Sequence, residues 1–114
     1  MNDGTNYEVD QFCLTVMVPE ELDHHASQTL RQEMEAQMQE HYVRRLVFDF
    51  SRTHFMDSSG IGILLGRYKE MKNRGGDLIL CGVNETVGRI LRMSGVLRLV
   101  PLCPDRITAK EYHE

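Results

Sequence analysis

The sequence predicts an α/β domain: a mixed, mostly parallel sheet that opens with an N-terminal β-hairpin and is covered by packed helices. Three observations carry this. Short runs of β-forming apolar residues alternate along the chain with stretches of helical period. Nearly every junction bears a turn or capping signal. The length, 114 residues, suits one domain (residues 1–114) that buries roughly two-thirds of its unfolded surface. With 41% hydrophobic and 26% charged residues, the chain is expected to fold without a metal or disulfide staple.

Tyr7-Glu8-Val9 and residues 12–18 read as two short strands joined at Asp10-Gln11. Pro19, with no N–H to give, ends the second. Asp23 is placed to cap a long helix, with Leu22 as its staple residue and Ala26, Leu30, Met34 and Met38 as its buried stripe. Residues 45–50, Arg-Leu-Val-Phe-Asp-Phe, are the continuous apolar run of a buried strand. From Ser58 a second helix carries Ile61, Leu64, Leu65, Tyr68 and Met71 on one stripe, and Gly75-Gly76 stops it. Residues 77–83 form the next strand. A short helix from Glu85 to Met93 follows, with Val87, Ile90 and Leu91 apolar and Ser94-Gly95 closing it. Residues 96–102 read as a last strand, and Asp105 opens a short terminal helix anchored by Ile107. Strands separated by helices pair in parallel through right-handed crossovers. The loops at 20–23, 53–57 and 83–85 then leave the strand ends on one rim, and Asp23 and Ser58 become neighbours.

The formal charge of −4 and the lack of a clustered basic surface argue against direct nucleic-acid binding. No apolar run approaches the ~18 residues of a membrane span. Met1 to Thr5 lacks the basic and apolar regions of a signal peptide, so a cytoplasmic protein is expected. Three widely spaced cysteines make neither a disulfide framework nor a CxxC pair, and Cys13 and Cys81 read as small core residues.

The strand-to-helix junction Asp57-Ser58-Ser59-Gly60-Ile61-Gly62 concentrates the chemistry. It sets an acid and two hydroxyls at a helix N-terminus, where free N–H groups and the dipole favour anions. A serine there can simply cap the helix, or it can carry a phosphate. A nucleophile elbow would need glycines two residues before and after the serine, and Met56 stands two before Ser58. A P-loop would need Gly-Lys-Ser/Thr, and Arg67 is followed by Tyr68. Gly60, Gly62 and Gly66 are read instead as letting the helix pack closely on the sheet. His24 and His25, adjacent on a helix, do not face one metal. Asp49 lacks the earlier acidic pair of a magnesium-dependent phospho-aspartate site and is assigned to a sheet end. No catalytic residue, metal ligand or cofactor is expected. A nucleotide- or small-anion-binding module at the same helix N-terminus is the alternative from another class.

Residues 55–69, Phe-Met-Asp-Ser-Ser-Gly-Ile-Gly-Ile-Leu-Leu-Gly-Arg-Tyr-Lys, resemble the signature of the anti-sigma factor antagonists, the bacterial members of the STAS domain family. Glu21-Leu22-Asp23-His24-His25 resembles their second motif and Met93-Ser94-Gly95 a third. The likeness runs from about Tyr7 to Leu102 and is nearest to the stage II sporulation type. It implies a STAS-like fold and a partner switch rather than an enzyme. By this resemblance Ser58 is the phosphoacceptor, and Glu21, Leu22, Asp23, His24, Asp57, Ser59, Gly60 and Ile61 form the partner-binding surface. The implied partners are an anti-sigma factor that is also a serine kinase, bound by the unphosphorylated form so that the sigma factor is released, and a phosphatase that removes phosphate from Ser58. A stress-signalling scaffold with another partner is the alternative within the family. Two departures stand out. Glu20 replaces the family's glycine and would be strained if that turn needs φ > 0. Residues 105–114 replace a longer apolar helix.

Overall fold

The computed structural model describes residues 5–113. The residues before Thr5, read above for targeting features, lie outside them. Five strands form the main sheet: β1 (Asn6–Asp10), β2 (Cys13–Met17), β4 (Arg45–Asp49), β6 (Asp77–Cys81) and β7 (Leu102–Cys103), in the order β1-β2-β4-β6-β7. Only β1 runs antiparallel to its neighbour, with Asp10 opposite Cys13 across the hairpin turn. The other pairs are parallel, joined through α1 (His24–Glu40), α2 (Ser58–Asn73) and α3 (Glu85–Ser94). This is the α/β class that the alternating pattern predicts.

The period of two along each central strand divides the molecule into two cores. Leu46 and Phe48 of β4, with Leu78 and Leu80 of β6, face the three long helices and join Leu30, Met34, Leu64, Met71, Val87 and Leu91 in the main core. Val47, Ile79 and Cys81 face the opposite way, against Cys103 and Ala109. The second face is covered by α4 (Arg106–Lys110), whose N-cap Asp105 and Thr108 form a reciprocal capping box. Arg45 ties this helix down: Nε and Nη2 each donate to Asp77 at 2.9 Å, while Nη1 and Nη2 also donate to the carbonyls of Ala109, Lys110 and Tyr112. Buried among apolar neighbours, the Cys81 thiol is pushed up to about 12.

Several expectations need correction. Residues 96–102 are not one strand. Val96–Arg98 form a 3-10 turn and only Leu102–Cys103 pair with β6. Val96 and Val100 are both buried at i, i+4, a helical spacing that the β-branched composition conceals, and Gly95 enters the turn at φ 83°. Ile107 is 68% exposed and does not anchor α4; Ala109 is the buried residue. Gly62 and Gly66 have open space where a Cβ would stand, so only Gly60 of the three serves close packing, and it does so against Met56 and Leu22 rather than the main sheet. Glu20 is unstrained, since Gln11 in the hairpin turn is the only described non-glycine residue at positive φ.

Candidate partner-binding rim

The rim is built on a two-stranded parallel sheet whose shortness hid it from the sequence pattern. In it β3 (Glu21–Leu22) pairs with β5 (Phe55–Met56), with Leu22 opposite Met56. The next residue on each strand, Asp23 and Asp57, is an N-cap, so this register brings the starts of α1 and α2 side by side. Asp23 accepts from Ala26 N at 2.8 Å and Asp57 from Ser59 N at 2.9 Å. The N–H of Asp57 in turn donates to the Leu22 carbonyl at 3.2 Å. The pairing of β3 with β5 therefore carries both caps, and the long-range neighbourhood of Asp23 and Ser58 follows from it.

The surrounding loops are held by buried polar contacts. Thr53, fully buried, donates its hydroxyl to the Pro19 carbonyl at 2.9 Å, with the Val18 carbonyl 3.2 Å away. Asn84 caps α3 through Val87 N and donates its amide to the Thr53 carbonyl at 2.9 Å. The backbone N–H groups of His54 and Phe55 donate to the Glu20 carbonyl. All three loops that leave the strand ends are thus locked to one another. Asp49 sits at the end of β4, accepting from Ser51 N at 2.9 Å and pairing with Arg106 Nε at 3.0 Å; it is a brace under the rim.

The two serines have different surroundings. Ser59 is half-buried, hydrogen-bonds the Asp57 carboxylate through its hydroxyl, and lies 3.2 Å from Ser27 Oγ of α1. With its proton on Asp57, the Ser59 oxygen is left to accept from Ser27. Ser58 is exposed, and its hydroxyl meets no partner among the described residues. The Ser59 hydroxyl above all, then the N–H groups of Ser59 and Gly60, hold Asp57 below the usual carboxylate range; charge on His24 acts in the same direction, and partial desolvation opposes them.

Of the other residues assigned to this surface, Glu21 and His24 are exposed and Ile61 is half-buried. Leu22 and Gly60 are buried and shape the rim from beneath without offering side-chain surface. Ser27 was missed by the sequence reading. Its signal was faint: a small polar residue on the apolar side of an amphipathic helix. A hollow of about 420 Å³ opens beside the rim between Pro19, Glu20, His25, Ala26 and Thr29. Among the described residues no group of three metal-ligating side chains converges, and no helix is long and apolar enough to cross a membrane.

A mixed sheet edged by an antiparallel hairpin, with a serine exposed at the start of the helix that follows its central strand, defines a small α/β domain with a polar rim. Residues 5–109 match the STAS domain, and the chain belongs to that family. It is 37% identical to the anti-sigma F factor antagonist of Paenibacillus polymyxa, over 96% of this chain and 93% of that one. Its fold is similar to that of the anti-sigma factor antagonist SpoIIAA in its unphosphorylated form, with a TM-score of 0.77 and 30% identity over 88% of each chain. It is likewise similar to the phosphorylated form of the Bacillus cell-fate determinant SpoIIAA, with a TM-score of 0.74 and 27% identity over 95% of this chain and 98% of the other.

Proposed function

We propose that this protein is an anti-sigma factor antagonist whose binding is switched off by phosphorylation of Ser58, acting positively on sigma-dependent, sporulation-type transcription. The unphosphorylated rim binds an anti-sigma factor with serine kinase activity and releases the sigma factor. The kinase transfers phosphate to Ser58, the complex separates, and a phosphatase restores the free hydroxyl. One observation carries this reading: of two adjacent serines at the same helix N-terminus, Ser59 is held by Asp57 and Ser27 while Ser58 is exposed with its hydroxyl free.

The mechanism is electrostatic. Phosphoserine adds about −1.5 to −2 charge, here beside Asp57 and near Asp23. The N-terminus of α2 favours that charge, so the domain survives the modification. A partner surface fitted to a neutral hydroxyl would have to desolvate the phosphate next to two carboxylates. Exposed Glu21 and His24 extend the contact surface, and Leu22 and Gly60 hold its shape.

Incubation with a cognate anti-sigma F kinase and ATP, followed by peptide mapping, tests the assignment. Phosphate on Ser58, and none on the Ser58→Ala variant, is expected. Phosphate on Ser59 with Ser58→Ala still a full substrate would overturn it.

A further inference from the structure

The two-stranded sheet of the rim has an outward face as well as an inward one, because successive side chains of a strand point to opposite sides. Leu22 and Met56 point inward and are buried, so Glu21 and Phe55, paired across the sheet, point out. Phe55 keeps 47% of its surface in water. Its backbone is fixed. Its N–H and that of His54 donate to the Glu20 carbonyl at 3.3 and 2.9 Å, and the Thr53 hydroxyl holds the neighbouring Pro19 carbonyl. The ring is therefore carried on a tethered strand, and only two side-chain torsions remain to be ordered when something covers it.

A single exposed apolar residue needs no explanation by itself; the position of Phe55 does. Among the described residues it is the one large apolar side chain exposed in the three loops of the rim. Phe12 and Tyr42 stack edge-to-face at 5.6 Å just before β2 and β4, at the opposite end of the sheet. Ile107 lies on α4, over the second face. Phe55 stands three residues before Ser58, so their Cα atoms are at most about 11 Å apart. A protein that transfers phosphate to Ser58 has to close over it. An interface of about 800 Å² per partner is a disc about 16 Å in radius, and centred on Ser58 it takes in Phe55.

We infer that Phe55 is the apolar anchor of this surface, and that the anti-sigma partner presents an apolar pocket that receives its ring. The inference rests on the reading of Ser58 as the residue that this partner phosphorylates. Aromatic side chains near the centre of an interface carry a large share of its binding energy. Covering the part of this ring now in water removes apolar surface with no charge or hydrogen-bonding group to desolvate. The ring is neutral and takes no part in phosphoryl transfer, so it binds the ground and transition states alike. Phe55 thus sets how tightly the partner binds, and the charge on Ser58 sets whether it binds.

Phe55→Ala should weaken calorimetric binding of a cognate anti-sigma F kinase about thirtyfold, with the urea midpoint little changed. Because the lost binding is uniform through the reaction, KM for phosphorylation should rise by a similar factor while kcat stays within about twofold. Ile107→Ala, which trims an exposed apolar residue on the other face, should alter neither. On the unmodified chain, hydroxyl-radical footprinting should show Phe55 protected severalfold when the kinase binds, with Phe12 and Tyr42 unprotected. That footprint decides the matter even if Phe55→Ala folds poorly. Wild-type affinity in Phe55→Ala, an equal loss in Ile107→Ala, a fall in kcat with KM unchanged, or a ring that stays reactive in the complex would each overturn the anchor and leave Ser58 as the phosphoacceptor. A wild-type chain that neither binds the kinase nor takes phosphate on Ser58 would overturn both.

Discussion

Replacing Ser58 with aspartate should abolish binding of the anti-sigma partner while leaving the domain folded. The position is exposed and its hydroxyl is bonded to nothing among the described residues, so the substitution removes no hydrogen bond and creates no cavity. The new carboxylate stands at the first residue of α2, where the dipole and free N–H groups favour it by roughly 0.3–1 kcal/mol. Repulsion from Asp57, screened by solvent, offsets part of that gain. The net change in stability should stay within about 1 kcal/mol, or about 4 °C in melting temperature for a domain of this size. In the complex the same carboxylate loses its water against a surface fitted to a hydroxyl, a cost of several kcal/mol. At about 1.4 kcal/mol per decade, even 3 kcal/mol weakens binding by about a hundredfold. Urea midpoint and calorimetric affinity, measured on one preparation, separate the two effects. Ser58→Ala is the control that should keep binding and lose the switch. Wild-type affinity in the aspartate variant would refute the charge mechanism. A stability loss of several kcal/mol would mean instead that the rim unfolds.

Three further outcomes are expected. Asp23→Asn keeps an oxygen to accept from Ala26 N but removes the charge, so helicity should hold while partner affinity or phosphotransfer falls; wild-type behaviour in both would reduce Asp23 to a cap. Gly60→Ala would set a Cβ 2.7 Å from Met56 Cγ and 2.9 Å from Leu22 Cδ2; with both side chains buried, overpacking of about 1–3 kcal/mol should outweigh the gain in helix propensity, and an unchanged urea midpoint would count against this packing. Because the folded pKa of Asp57 lies below its ordinary 3.8, its contribution to stability is complete above that value and is lost as pH falls through the lower folded value; a carbon-detected titration should show a depressed midpoint that rises toward the ordinary value in Ser59→Ala, and identical midpoints would remove Ser59 as the cause.

Local signals carried much of this protein. The helix starting at Asp23, the strand at 45–49 and the helix from Ser58 were legible because caps and apolar periods act over a few residues, and the structure keeps those caps. The pairing of Glu21–Leu22 with Phe55–Met56 was not legible, because two residues carry no period and their partner lies across the whole of α1 and β4. The stretch 96–102 misled because a short, nearly continuous apolar run reads as a buried strand, whereas burial of Val96 and Val100 against the core accompanies a turn. The absence of strain at Glu20 was equally a tertiary matter, set by the path between Pro19 and the carbonyl contacts to His54 and Phe55. At the site, the sequence by itself determined that an acid and two serines stand at a helix N-terminus. Which serine is free was decided by the tertiary structure, because Ser27 reaches Ser59 from another helix and a hydroxyl has a single proton to give.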